Sequence, residues 1–174
     1  MPSSPAQVGG IGREHALLFA AEGASVVVND LGGTNSGGDG TDAGPAHEVV
    51  AEIRAAGGAA VAHTENIATW DGAQSLVQQA VDEFGRLDVV VNNAGILRDA
   101  FIPTMAESDW DAVIAVHLKG HFSVLRHAAA YWKAQSKAGD QPNAAVINTA
   151  SGSGTTIPNA GQANYGAAKA PSRR

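Results

Sequence analysis

Leu87-Asp88-Val89-Val90-Val91-Asn92-Asn93-Ala94-Gly95 is the stretch on which the fold turns. A short β-branched run closed by amides and small residues reads as a strand buried on both faces, as in a parallel sheet. Helical spacing flanks it on both sides. Upstream, residues 71–84 place Leu76, Val77 and Val81 on one side of a helix. Downstream, Ser108-Asp109-Trp110-Asp111 offers an N-cap and an acidic first turn for a long helix reaching about Lys137. The alternation continues outward. A helix from Arg13 to Glu22, stopped by Gly23, precedes a strand over Val26-Val27-Val28-Asn29-Asp30. A helix over 46–56 precedes a weak strand over Ala59 to His63. Ala144 to Thr149 is the last strand, and a final helix opens near Gln162. Residues 32–44 and 151–161 are rich in glycine and small polar residues and read as loops. Strands alternating with helices predict an α/β fold, a doubly wound parallel sheet in one domain, with ligands bound beyond the carboxyl ends of the strands.

Composition narrows the function classes. The 174 residues are 44% hydrophobic and 16% charged, enough apolar material for one core. A formal net charge of −6 argues against a nucleic-acid or anionic-membrane surface. Without cysteine there is no disulfide, thiolate metal site or thiol nucleophile, and no metal site is expected. No apolar run approaches the roughly 20 residues that span a bilayer, and the N-terminus lacks the charged-then-apolar order of a signal peptide. The expectation is a cytoplasmic protein acting on a small molecule.

Three groups of residues carry chemistry. Gly10-Ile11-Gly12 leads into a helix, where free N–H groups and the positive dipole end suit a dinucleotide pyrophosphate, although a plain glycine turn has the same composition. Asp30 ends the following strand 18 positions after Gly12, near the offset at which a carboxylate takes the adenosine ribose hydroxyls. A carboxylate there repels a 2′-phosphate, so NAD is expected over NADP; the alternative is that Asp30 caps a turn. The amides of Asn92 and Asn93 could tie strand ends together and line a cofactor channel, with Ala94 and Gly95 leaving room for a ring, or the stretch could be an ordinary turn. Finally, Tyr165 and Lys169 stand four apart on one helix face, and an ammonium beside a phenol favours the phenolate.

In this order these motifs, with Ser151, resemble the short-chain dehydrogenase/reductase family and its Rossmann-type fold, from Gly9 to Ala170. Val26 to Gly33, Asn93 to Asp99, Val116-His117-Leu118 and Gly161 to Tyr165 are similar to one branch, the 3-hydroxyacyl-CoA dehydrogenase domain of peroxisomal multifunctional enzyme type 2 and its bacterial relatives. The resemblance implies an NAD-dependent oxidation of a secondary alcohol, a 3-hydroxyacyl-CoA thioester, by Tyr-assisted hydride transfer to nicotinamide. Tyr165 would be the general base, Lys169 would favour its phenolate and hold the nicotinamide ribose, and Ser151 would bind the substrate oxygen. Gly10, Ile11 and Gly12 would hold the pyrophosphate and Asp30 the adenosine ribose. Asn66 and Ile67 would flank adenine, and Asn92, Ala94 and Gly95 would line the cofactor channel. It also implies a homo-oligomer.

The sequence departs from that pattern in four places. The family's serine stands 13 before the tyrosine; here Ser151 lies 14 before and Ser153 lies 12 before, and the strand residues align Ser151. His117 stands where much of the family has an asparagine. Pro5 and Ala6 replace the first threonine and glycine, with no hydrophobic first strand ahead of them, and residues 1–8 are expected to be irregular. After Lys169 the chain reads Ala170-Pro171-Ser172-Arg173-Arg174, also expected to be irregular, so the chain looks like a member lacking both ends, whose activity could be reduced to binding nucleotide or a homologous partner chain.

Overall fold

The computed structural model describes residues 10–32 and 44–173. The expectations for residues 1–8, for Pro5 and Ala6, and for the loop over 33–43 lie outside the described residues. The described chain runs α1 (Ile11–Ala21), β1 (Val26–Asn29), α2 (Gly44–Ala55), β2 (Ala60–His63), α3 (Trp70–Phe84), β3 (Val89–Asn92), α4 (Glu107–Ile114), a π-helical turn (Ala115–Gly120), α5 (His121–Ala138), β4 (Ala145–Asn148) and α6 (Ala163–Lys169). The predicted strands and helices are all found within one or two residues of their ends, and the fold is the Rossmann-type α/β fold.

Four strands make two parallel pairs. Val26 to Asn29 face Ala60 to His63 in register, and Val89 to Asn92 face Ala145 to Asn148. Among the described residues β1 and β3 are not hydrogen-bonded to each other or to a common strand. Each pair has its own core. Ala16, Val49, Val50, Ile53 and Ala60 bury together where α1 and α2 cover β1 and β2. Ile67, Val77, Val90, Val124, Ala128 and Trp132 do so between α3, β3 and α5. The second core has a polar anchor, since Trp132 Nε1 donates to the Leu87 carbonyl at 2.7 Å.

Helix ends follow local chemistry. Thr69 caps α3 by accepting from the Gly72 N–H, and Gly85 at φ +74° ends it in the left-handed conformation open to glycine. Two sequence expectations are corrected here. Ser108 is not an N-cap: α4 starts at Glu107 after Ala106, with no side-chain cap. Asp109 turns its carboxylate to Arg98 at 3.0 Å, and the Asp109 and Trp110 N–H groups close on the Ala106 carbonyl. Nor is the segment after Lys169 irregular, because Ala170–Arg173 tightens into a 3₁₀ turn, which Pro171 tolerates in its first residues.

Candidate active site

The strand ends are tied by amides, as read from the sequence. Asn92, 4% exposed, donates to Asn148 Oδ1 at 2.9 Å, and Thr149 Oγ1 donates to Asn93 Oδ1 at 2.9 Å. These two bonds join the carboxyl ends of β3 and β4. The glycine turn reaches the same place: a Cβ on Gly12 would stand 2.7 Å from Asn93 Nδ2. Gly10 is the N-cap of α1 in extended conformation, with no side-chain cap bond among the described residues. The Arg13 and Glu14 N–H groups close on the Gly10 carbonyl, so among the first N–H groups of α1 those of Ile11 and Gly12 remain beside the end of β3.

Lys169 is 1% exposed, and its ammonium donates to the Thr149 carbonyl at 2.7 Å. Burial pushes its pKa down. Its Nζ lies 5.9 Å from the ring centroid of Tyr165, one helical turn away. Asn164, fully buried, fixes the start of this helix: Nδ2 donates to the Arg98 and Asp109 carbonyls at 2.8 and 3.3 Å, and Oδ1 accepts from the Tyr165 N–H at 2.7 Å.

The serine loop is seated on the same helix. A Cβ on Gly154 would stand 2.7 Å from backbone atoms of Lys169 and Ala170, and one on Gly166 would stand 3.0 Å from the Ser153 carbonyl oxygen. Ser151 and Ser153 differ in what their hydroxyls have left to give. Ser153 Oγ donates to Gln162 Oε1 and accepts from Asn159 Nδ2, both at 2.9 Å. Ser151 Oγ only accepts, from the Ser153 N–H at 3.3 Å, and keeps its own proton. Of the two serines, Ser151 is the one whose hydroxyl proton has no acceptor among the described residues.

Two histidines complete the site, and only His117 was singled out from sequence. The π turn places His117 and His121 on one face with ring centroids 6.1 Å apart. His117 Nε2 meets Ile96, 2.9 Å from its N–H and 2.8 Å from its carbonyl oxygen, and His121 Nε2 meets the Ala94 carbonyl at 2.9 Å. Burial pushes both down to about 4, against the raising effect of those carbonyl bonds, and Lys169 adds to the lowering, so both rings are neutral at pH 7. The His117 ring packs edge-on to Tyr165 with centroids 5.0 Å apart. The room at Gly95 was expected for a ligand ring. Instead the His117 imidazole fills it, since a Cβ there would stand 2.3 Å from its Cε1. The His-x-x-x-His spacing was the sequence signal for His121.

The remaining predicted residues lie in the β1–β2 half. Asp30 accepts from the Gly32 N–H through Oδ1 at 2.8 Å, so it does close a turn, with one carboxylate oxygen beyond that bond. Asn66 closes the turn after β2, Oδ1 accepting from the Ala68 N–H at 2.9 Å. The Ile67 side chain packs into the α3–α5 core and is 8% exposed. Among the described residues no cluster of histidine and carboxylate groups could hold a metal ion, and no helix is long and apolar enough to cross a membrane.

A helix N-terminus at a glycine turn, a carboxylate just after the next strand and a tyrosine–lysine turn are thus carried on one Rossmann-type α/β fold. The sequence profile of the short chain dehydrogenase family matches residues 6–173, and the chain belongs to that family. It is 50% identical over 160 residues to peroxisomal multifunctional enzyme type 2 of Drosophila melanogaster, covering 92% of this chain and 25% of that protein. It is 46% identical over 163 residues to a hydroxyacyl-CoA dehydrogenase of Mycobacterium tuberculosis, covering 92% of this chain and 49% of that one. The crystal structure of a short chain dehydrogenase from Mycobacterium avium superposes with a TM-score of 0.84 at 57% identity, over 94% of this chain and 57% of that one. The chain thus spans about half the length of the mycobacterial proteins and a quarter of the fly protein.

Proposed function

We propose that the chain is an NAD-dependent dehydrogenase that oxidises a secondary alcohol, a 3-hydroxyacyl-CoA thioester, to the ketone. The observation that carries this reading is the Tyr165–Lys169 turn. Its ammonium is buried and held on Thr149 at 2.7 Å beneath the tyrosine ring, with the serine loop packed on Gly166. The residues present fit the cofactor: with glycine as the N-cap at Gly10, the Ile11 and Gly12 N–H groups are left to a pyrophosphate, and Asp30 follows β1 with a carboxylate oxygen to spare. Asp30 carries the preference for NAD, through repulsion of a 2′-phosphate.

In the forward reaction Ser151 donates its hydroxyl proton in a hydrogen bond to the substrate oxygen. Tyr165 takes the hydroxyl proton as general base. Lys169 stabilises the phenolate and orients the nicotinamide ribose. The bound nicotinamide supplies the acceptor for the hydride that leaves the carbinol carbon. The thioester class is supported by the name of the mycobacterial relative, a hydroxyacyl-CoA dehydrogenase. Assembly as a homo-oligomer and a cytoplasmic location belong to the same reading.

The test is NADH absorbance with the purified chain, NAD and a 3-hydroxyacyl-CoA. Tyr165→Phe should lose at least 100-fold in kcat, and equal rates for the two proteins would sink the catalytic reading. A second reading, nucleotide binding without turnover, is favoured by the two separate strand pairs, which place Asp30, after β1, and the amides of Asn92 and Asn148, at the ends of β3 and β4, in halves that no described strand joins. It predicts a rise in Tm with NAD but no NADH produced.

A further inference from the structure

The geometry points to a one-way hydrogen-bond relay, Asn29–His63–Ser75–Glu65, that holds the turn after β2 in the shape the adenosine end of the cofactor requires, with Ser75 as its positioning residue. This rests on the dinucleotide reading above but concerns residues outside the Tyr165 site.

The direction of the relay follows from Asn29. Its Nδ2 faces two carbonyl oxygens, His63 at 3.2 Å and Glu65 at 3.0 Å, so the amide nitrogen is the atom on that side. The same Nδ2 lies 2.8 Å from His63 Nδ1, the shortest of its three contacts, so one N–H points at that nitrogen, which accepts and carries no proton, while the other is shared by the two carbonyls. The ring proton is on Nε2, and Nε2 donates to Ser75 Oγ at 2.8 Å. With its lone pair engaged, Ser75 turns its own proton to Glu65 Oε2 at 2.6 Å, the length of a charge-assisted bond, with the Gly72 carbonyl at 3.1 Å as a weaker acceptor. This arrangement is not a nucleophile pair. The histidine gives a proton to the serine rather than taking one, and the carboxylate is the terminal acceptor.

The relay ties three elements to one turn. Asn29 is the last residue of β1, beside Asp30; His63 ends β2; Ser75 lies in the second turn of α3. Glu65 and Asn66 stand between them, with the Asn66 carbonyl accepting from the Thr69 N–H and hydroxyl. His63 is 5% exposed, so the relay is anchored in protein while Glu65 and Asn66 face solvent.

Nuclear magnetic resonance of the ¹⁵N-labelled chain should show His63 as the Nε2–H tautomer, and the Nδ1–H tautomer would overturn the relay. Ser75→Ala should weaken ADP-ribose binding, measured by calorimetry, roughly tenfold and raise the KM for NAD in proportion, leaving kcat within about twofold. Ser75→Thr should restore binding. Should Ser75→Ala fail to fold, Glu65→Gln removes only the charged acceptor and should show the same split. Wild-type affinity in the folded Ser75→Ala chain, or a loss confined to kcat, overturns the positioning role. Absence of ADP-ribose binding by the unaltered chain overturns the cofactor reading together with this role, whereas binding without turnover sinks only the catalytic reading.

Discussion

A methyl group added at Gly95 would stand 2.3 Å from Cε1 of His117, whose Nε2 is held on Ile96 and cannot retreat without giving up that contact. Gly95→Ala should therefore destabilise the chain by about 1–3 kcal/mol, read from urea unfolding. His117→Ala added to it should recover part of the loss, a coupling that a double-mutant cycle would report. The two serines separate by the same reasoning from partners. Ser151→Ala should lower kcat/KM roughly 100-fold, because a donor to the reacting oxygen is removed. Ser153→Ala should cost less than about tenfold, because its hydroxyl is already spent on Gln162 and Asn159 and acts only through the loop.

His117 and His121, four residues apart across the π turn between α4 and α5, share one helix face and meet successive parts of the segment after β3. Both rings have pKa values lowered from 6.5 to about 4, so the unfolded chain binds more protons than the folded one between those values. Their contribution to stability is complete above pH 6.5 and is lost as pH falls through that window to about 4. The loss reaches the order of 3 kcal/mol per ring. Urea midpoints measured from pH 7 down to 5 should fall, and His117→Gln with His121→Gln should flatten the slope. The contact between α6 and the serine loop makes a second element-scale prediction. Gly154→Ala forces a methyl group onto the backbone at Lys169 and Ala170 at 2.7 Å, so it should lift the serine loop from the helix. A fall in kcat larger than the change in NAD affinity would show it.

For the molecule as a whole, the residues proposed to bind the dinucleotide are divided between two strand pairs with separate cores. Gly12 approaches Asn93 of the β3 end, while Asp30 and Asn66 belong to the β1–β2 half. A dinucleotide contacting both halves binds the folded chain alone, so saturating NAD should raise Tm by mass action, about 2.7 kcal/mol of added stability at a hundredfold excess over Kd. Differential scanning fluorimetry checks it, and Asp30→Ala should diminish the shift.

The sequence by itself determined the order and type of the elements, because β-branched runs such as Val89-Val90-Val91 and the helical spacing around them are local patterns. That Tyr165 and Lys169 share one face of a helix was legible as well, since four-residue spacing on a helix is a local fact. The tertiary structure alone decided the rest. Which serine hydroxyl remains free depends on Gln162 and Asn159, and the ring that occupies the space at Gly95 comes from His117 on the π turn. That the Ile67 side chain enters the core depends on α3 and α5 packing over it. Such choices are made by contacts between residues far apart in the chain, and those contacts are not legible in any local pattern.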